Sequence, residues 1–194
     1  NSGSNLSKCP STTVATQGTT QDFTAPISQV LASKPDAVAI LLVGPANPTA
    51  MKQLRQAGYT GDVLGNSGAS AGNLKPAGAD GAGMVWPTDF NYQQKAPSSQ
   101  KFVTLYQASN PGENPLNYAA EAYDAAWFLA KSIKAAGNAD RAAIKTAMGT
   151  VSGQSFDGAL GTGLTWKDRE IVVPGVMIRY DGTNEVLLYE GSGS

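Results

Sequence analysis

Val38-Ala39-Ile40-Leu41-Leu42-Val43, followed at once by Gly44-Pro45-Ala46-Asn47-Pro48-Thr49-Ala50-Met51, decides the fold. Consecutive apolar residues without alternation are the pattern of a parallel strand covered on both faces. Gly44-Pro45-Ala46 leaves that strand, Asn47 is placed to cap a helix, and Pro48 suits the first helical position. Met51, Leu54 and Ala57 then recur on one face before Gly58 stops the helix. Working outward, Asp62-Val63-Leu64-Gly65 reads as a second short strand ending in the turn-rich Asn66-Ser67-Gly68-Ala69-Ser70. After a loop through Pro76, Gly83-Met84-Val85-Trp86 reads as a third strand. Upstream, residues 12–16 are β-prone, and Thr24 is placed to cap a helix whose apolar positions are Ile27, Val30 and Leu31. Strand and helix alternating in this way imply an α/β fold with a parallel sheet and right-handed crossovers.

From residue 98 the pattern becomes helical. Phe102, Val103 and Tyr106 line one helix, and Ala119, Ala122, Ala126, Leu129 and Ile133 line a longer one. Asn138 or Asp140 can cap a third that buries Ile144, Ala147 and Met148. Residues 172–180 and 185–189 read as strands around Asp181-Gly182, a dipeptide suited to a hairpin turn. Both ends are rich in Gly and Ser: Asn1-Ser2-Gly3-Ser4 opens the chain, and Gly191-Ser192-Gly193-Ser194 reads as a flexible linker.

The 194 residues carry 14 Lys+Arg against 15 Asp+Glu, a formal net charge of -1, no histidine and one cysteine. With no basic block there is no electrostatic footprint for nucleic acid or anionic membrane. Lack of histidine removes the commonest general base and metal ligand, and a single cysteine builds no zinc or iron–sulfur site. No catalytic residue, metal site or cofactor site is therefore expected. Charged residues make up only 15 % of the chain, against about 25 % in an average domain, a weak pointer to work outside the cytoplasm. No apolar run reaches the ~20 residues needed to span a bilayer, and the start lacks a signal-peptide layout. The expectation is a soluble chain from which any export signal has been removed.

Ser67, on the turn Gly65-Asn66-Ser67-Gly68, does not complete a G-x-S-x-G elbow because Ala69 holds the last position, and no histidine exists to activate it. A plain turn or a ligand contact are the leading readings for it, with a nucleophile behind them, since pockets of open α/β sheets lie beyond the carboxyl ends of the strands. Gly78-Ala79-Asp80-Gly81-Ala82-Gly83 precedes a strand instead of opening a helix, so it reads as a connecting turn and not a phosphate cradle. Asp157, Asp168 and Glu170, set among glycines, read as solvated loop charges. Cys9 is either a small buried residue or has its partner elsewhere. Tyr118, after Asn117 at the start of the long helix, either caps the core or faces a cleft.

The ordered set of motifs resembles a family. Asp22-Phe23-Thr24 before a helix, Ser33-Lys34-Pro35-Asp36-Ala37-Val38 into a strand, and Met51-Lys52-Gln53-Leu54-Arg55-Gln56-Ala57-Gly58 look like extracytoplasmic solute-binding proteins of ABC transporters, of the branched-chain amino acid type. Tyr118-Ala119-Ala120-Glu121-Ala122-Tyr123-Asp124-Ala125-Ala126, the helix holding Asp140-Arg141, and Ser155-Phe156-Asp157-Gly158 add to it. The resemblance implies a type I periplasmic-binding-protein fold, with flavodoxin-like parallel-sheet lobes and most of the first lobe absent. Residues 12–86 would be a second-lobe α/β segment and 87–150 a hinge crossover with helices resembling first-lobe elements. Residues 151–190 would be the return crossover with the last strands, and 191–194 a linker; hinges fall near Pro87-Thr88-Asp89 and residues 151–157. The ligand residues it implies are Pro45, Ala46 and Asn47, then Asn66 and Ser67 in the turn, and Tyr118. Relatives that bind amino acids often place a carboxylate in that turn; Asn66 and Ser67 offer hydrogen bonds without counter-charge.

The implied function is delivery of an amino acid or similar small polar solute to a membrane permease, by hinge closure, in the periplasm or outside the cell, with lipid anchoring an option. The alternatives are a ligand-sensing domain of a receptor with the same fold and, behind it, a serine hydrolase. A complementary chain or a second copy is a further expected partner, covering helix faces that have no sheet to pack on.

Overall fold

The computed structural model describes residues 11–167 and 170–191; Cys9, Asp168, Asn1-Ser2-Gly3-Ser4, Ser192, Gly193 and Ser194 lie outside the described residues. In chain order the elements are α1 (Thr24–Ala32), β1 (Ala37–Ile40), α2 (Ala46–Gln56), β2 (Asp62–Gly65), α3 (Ala71–Leu74), a 3-10 stretch (Lys75–Gly81) and β3 (Met84–Thr88). Then come α4 (Pro97–Ser109), α5 (Asn117–Ala136), α6 (Arg141–Val151), β4 (Phe156–Gly158), β5 (Gly161–Lys167), β6 (Glu170–Val172), β7 (Val176–Tyr180) and β8 (Glu185–Glu190). Among the described residues no helix is long and apolar enough to cross a membrane.

β1, β2 and β3 are parallel neighbours, with Ile40 opposite Gly65 and Val63 opposite Met84. The C-terminal hairpin β7–β8 adds to the same sheet antiparallel, Trp86 facing Ile178, so the sheet is mixed in the order β1-β2-β3-β7-β8. The hairpin turn at Asp181-Gly182 forms as expected, closed by Asp181 N–H donating to the Asn184 carbonyl at 3.1 Å.

One face of this sheet carries the first core. Val38, Ile40, Val63, Met84, Trp86, Ile178 and Tyr180 pack with Ile27 of α1 and with Met51 and Leu54 of α2. Met51 and Leu54 are essentially fully buried, each contributing about 1.5–3 kcal/mol of hydrophobic stabilisation. The expectation that residues 38–43 form a strand covered on both faces is corrected: the strand ends at Ile40, and Leu41 and Val43 are 67 % and 83 % exposed. Both α1 and α2 pack on the same side, so alternate residues of the run point to an uncovered face that also holds Leu64 and Leu188.

Local starts and stops differ as well. Residues 12–16 take no regular structure. Thr24 is the first residue of α1, and the Asp22 carboxylate does the capping, accepting from Thr24 N–H at 2.9 Å and its hydroxyl at 2.6 Å. Helix α2 begins at Ala46, ahead of the expected cap Asn47, which is turned inward. The loop expected through Pro76 contains α3 and the 3-10 stretch. Asp140 caps α6 as its position predicts, accepting from Ala143 N–H at 2.9 Å.

A second core joins Phe90, Phe102, Val103, Ala120, Ala159, Leu160 and Leu164. The Phe102 ring meets Phe90 edge-on at 5.6 Å and Tyr123 at 4.9 Å. It is roofed by a three-stranded sheet, β4-β5-β6, where loops were expected. Asp157 and Glu170 are exposed strand residues of this sheet, and Asp157 accepts from Gly163 N–H at 2.8 Å. The fastening is Asp124 of α5, whose buried carboxylate accepts from Ala159 N–H at 2.6 Å and Leu160 N–H at 2.9 Å. This fastening also corrects the expected inner face of α5. Ala120, Asp124 and Ser132 point inward, whereas Ala122, Ala126, Leu129 and Ile133 face out.

Candidate functional site

Parallel strands present a crevice beyond their carboxyl ends. Here β1, β2 and β3 end in the segments 41–45, 66–70 and 89–96, and the first turn of α5 touches the segment after β2 through Tyr118. Gly65 closes β2 in close contact with its neighbours: a Cβ there would come within 2.6 Å of Met84 Cε, and the methionine end would have to shift to admit it.

The structure brings Asn47 to the turn at 66–68 and Tyr118 to Ser67, and no hydrogen bond among the described residues joins Pro45 or Ala46 to that turn or to Tyr118. Asn47 is 0 % exposed. Its Nδ2 donates to the carbonyls of Leu42 at 3.3 Å, Gly44 at 3.4 Å and Gly68 at 3.3 Å, tying the segment after β1 to the turn after β2. Asn47 therefore positions loops and presents no atom to solvent. Asn66 folds its own turn, Oδ1 accepting from Gly68 N–H at 3.0 Å. Ser67 stands exposed at the turn, and its carbonyl accepts the Tyr118 hydroxyl at 3.4 Å. Tyr118, on the first turn of α5, is half exposed. Pro45 and Ala46 open α2; Pro45 also borders an open cavity of about 560 Å³ between α2 and α3, next to Thr49, Lys52, Gln53 and Asn73. Neither Ser67 nor Tyr118 lines that cavity.

Two carboxyls outside that set, Asp89 and Glu121, stand beside each other. Asp89 follows β3 directly and accepts from the Thr88 hydroxyl at 3.2 Å. Burial, and then the neighbouring Glu121 carboxylate, push its carboxyl up to about 6. Glu121 accepts from Asn117 Nδ2 at 3.0 Å. Tyr118 and Glu121 are three residues apart on one helix and so share a face. That spacing, and the place of Asp89 just past a parallel strand, are the signals from which the pair was legible.

Asn73 and Glu185 were also missed. Asn73 Nδ2 donates to the Gly68 carbonyl at 2.8 Å, bracing the turn from α3. Glu185, buried at the start of β8, takes Ala71 N–H at 2.9 Å and Asn91 Nδ2 at 3.2 Å. Burial pushes its carboxyl up, and the two donors act against that. No local sequence signal marks Glu185, since its partners lie 114 and 94 residues away. Among the described residues no group of three His, Cys, Asp or Glu side chains is placed to hold a metal ion.

A family model described as periplasmic binding protein matches residues 11–184. No curated protein matches the chain. Among solved structures, the leucine-binding protein LivK of Thermotoga maritima is similar at a TM-score of 0.80 and 26 % identity, over 89 % of this chain and 49 % of its own. A solute-binding protein of an R. palustris ABC transporter, solved with benzoate, gives 0.77 and 20 % over 89 % of this chain and 47 % of its own. The branched-chain amino acid transporter substrate-binding protein LivJ of Streptococcus pneumoniae, solved with isoleucine, gives 0.74 and 19 % over 88 % and 50 %. The last two speak to the fold alone, and this chain spans about half the length of these structural relatives. With a family model matched along nearly all the described residues, and a sheet crevice set in a fold shared with these proteins, the chain belongs to the periplasmic binding protein family.

Proposed function

We propose that the chain is part of the solute-binding component of an ABC uptake transporter working outside the cytoplasm. It takes a small polar solute, an amino acid or a related acid, into the crevice at the ends of β1–β3 and hands it to a membrane permease. The observation that carries this reading is the meeting of Ser67 with Tyr118: a turn of the first core touches a helix that packs in the second. A solute placed there contacts both bodies, and a ligand that favours their closed arrangement shifts the population toward it. Residues 87–89 and 151–157 serve as the hinges in this reading.

Ser67 and Asn66 supply hydrogen-bonding groups and Tyr118 an aromatic wall, the usual mixture of a few polar groups with apolar lining. Pro45 and Ala46 border the crevice at the N-terminus of α2. The structural relatives are about twice as long. The further material of a two-lobed protein is placed, in this reading, over the outer sheet face at Leu41, Val43, Leu64 and Leu188 and over the outward stripe of α5.

Calorimetric titration of the full-length protein with leucine, isoleucine and benzoate tests the proposal. Saturable binding of one of them, weakened at least about tenfold by Tyr118→Ala, supports it. Binding of a solute that is indifferent to Tyr118 and Ser67 overturns the site.

A further inference from the structure

We propose that Glu185 is a positioning residue that couples the Asn66–Ser70 turn to the chain segment crossing between the two cores. The inference deepens the solute-binding reading and rests on it for its functional meaning. Glu185 is 4 % exposed, and its two carboxylate oxygens hold two different parts of the molecule. Oε1 accepts from the backbone N–H of Ala71, the residue that follows the turn, at 2.9 Å. Oε2 accepts from Nδ2 of Asn91, in the segment between β3 and α4, at 3.2 Å.

Each grip continues beyond its first contact. On the turn side, Ser70 Oγ accepts from Asn73 N–H at 3.2 Å, and Asn73 Nδ2 reaches the Gly68 carbonyl that Asn47 also holds. On the crossing side, Asn91 Oδ1 accepts from Gln93 N–H at 2.9 Å, and Gln93 Oε1 takes Leu187 N–H of β8 at 2.8 Å. The Tyr92 hydroxyl donates to the Glu185 carbonyl at 3.3 Å. The crossing segment is thus laced to β8, and β8 reaches the turn through one carboxylate. A rearrangement of the turn on solute capture acts on that carboxylate, and the same group anchors the strand along which the crossing lies. Because a buried carboxylate left with one partner is costly, the two grips hold or fail together.

Hydrogen exchange of the full-length protein without any solute tests this, so its outcome stands apart from whether a solute binds. Asn73→Ala loosens the turn from the far side. The expected result is faster exchange, by about tenfold, in residues 66–73 and also in 89–95. In a Glu185→Gln background, where an amide replaces one of the two acceptors, Asn73→Ala is expected to speed exchange in 66–73 only. That non-additivity is the signature of coupling, which a purely local structural role does not produce. Asn91→Ala cuts the same link from the crossing side and replaces Glu185→Gln should that variant not fold. Confinement of the Asn73→Ala effect to 66–73 with Glu185 intact, or an identical effect on 89–95 in both backgrounds, overturns the proposal. If leucine or benzoate binds, it is expected to slow exchange at 89–95 in the unaltered protein and not in Glu185→Gln.

Discussion

Replacing Asn47 by Asp changes a side chain's chemistry while keeping its shape, and the pH dependence of the damage reports where that side chain points. Asn47 has no exposed surface, and its Nδ2 faces three carbonyl oxygens. In Asn47→Asp the donor becomes a second acceptor, and a charged form there is an unpaired buried anion worth several kcal/mol of penalty. Binding a proton is the less costly route. Keeping a carboxyl of ordinary pKa about 3.9 protonated costs about 4 kcal/mol at pH 7 and about 1.5 kcal/mol at pH 5. The protonated group donates to one carbonyl and leaves the other contacts unmade, about 1 kcal/mol more. Asn47→Asp should therefore lose about 5 kcal/mol at pH 7 and about 2.5 kcal/mol at pH 5 relative to the unaltered protein. Asn47→Ala should lose about 1–3 kcal/mol at both. Urea unfolding of the three proteins at the two pH values measures this. A cost for Asn47→Asp that is small and flat with pH would mean that the side chain turns toward solvent, as a ligand-contacting residue would, and the loop-tie role would fall.

Asp124→Ala leaves the buried N–H groups of Ala159 and Leu160 without acceptors, a loss of about 2–4 kcal/mol. Their exchange should quicken first, whereas Asp157→Ala, at an exposed site, should cost under about 0.5 kcal/mol; equal costs for the two would refute the fastening. Asp89 holds its proton in the folded state up to about pH 6, while the unfolded chain releases it near the ordinary carboxylate pKa of about 3.9. The folded state binds more protons in between, so this group makes stability rise as pH falls through 6, with partial solvent exposure damping the size. Asp89→Asn should be more stable than the unaltered protein at pH 8 and flatter between pH 8 and 5; unchanged slopes in thermal melts would count against the carboxyl pair. Tyr118→Phe, which loses only a 3.4 Å hydrogen bond, should melt within a degree or two of the unaltered protein. Tyr118→Ala should melt similarly and bind solute at least about tenfold more weakly, and a large drop in melting temperature would instead make Tyr118 a core residue.

What the sequence determined by itself was local and periodic. That a strand starts in the apolar run 38–43, though not that it ends at Ile40, the turn at residues 66–70, Asp140 as a cap and the Asp181-Gly182 hairpin are visible because their physics operates within a few residues. Matched in order, the motifs at 22–24, 33–38, 51–58, 118–126, 140–141 and 155–158 also indicated the family. Tertiary structure decided which side of an apolar element is inside. The inner face of α5 was misread because Asp124, a carboxylate that periodicity assigns to solvent, is drawn in by two backbone N–H groups more than thirty residues on. The sheet β4-β5-β6 was missed because β4 and β6 are short, glycine interrupts the pattern at 158, 161 and 163, and the corner between β4 and β5 is held by that same distant contact. Asn47 was read as a cap or ligand contact, and only the convergence of three carbonyls from two loops turned it into a tie. Glu185 had no sequence signature at all, because a buried carboxylate is tolerated only where distant donors meet it, and chain topology alone brings Ala71 and Asn91 there.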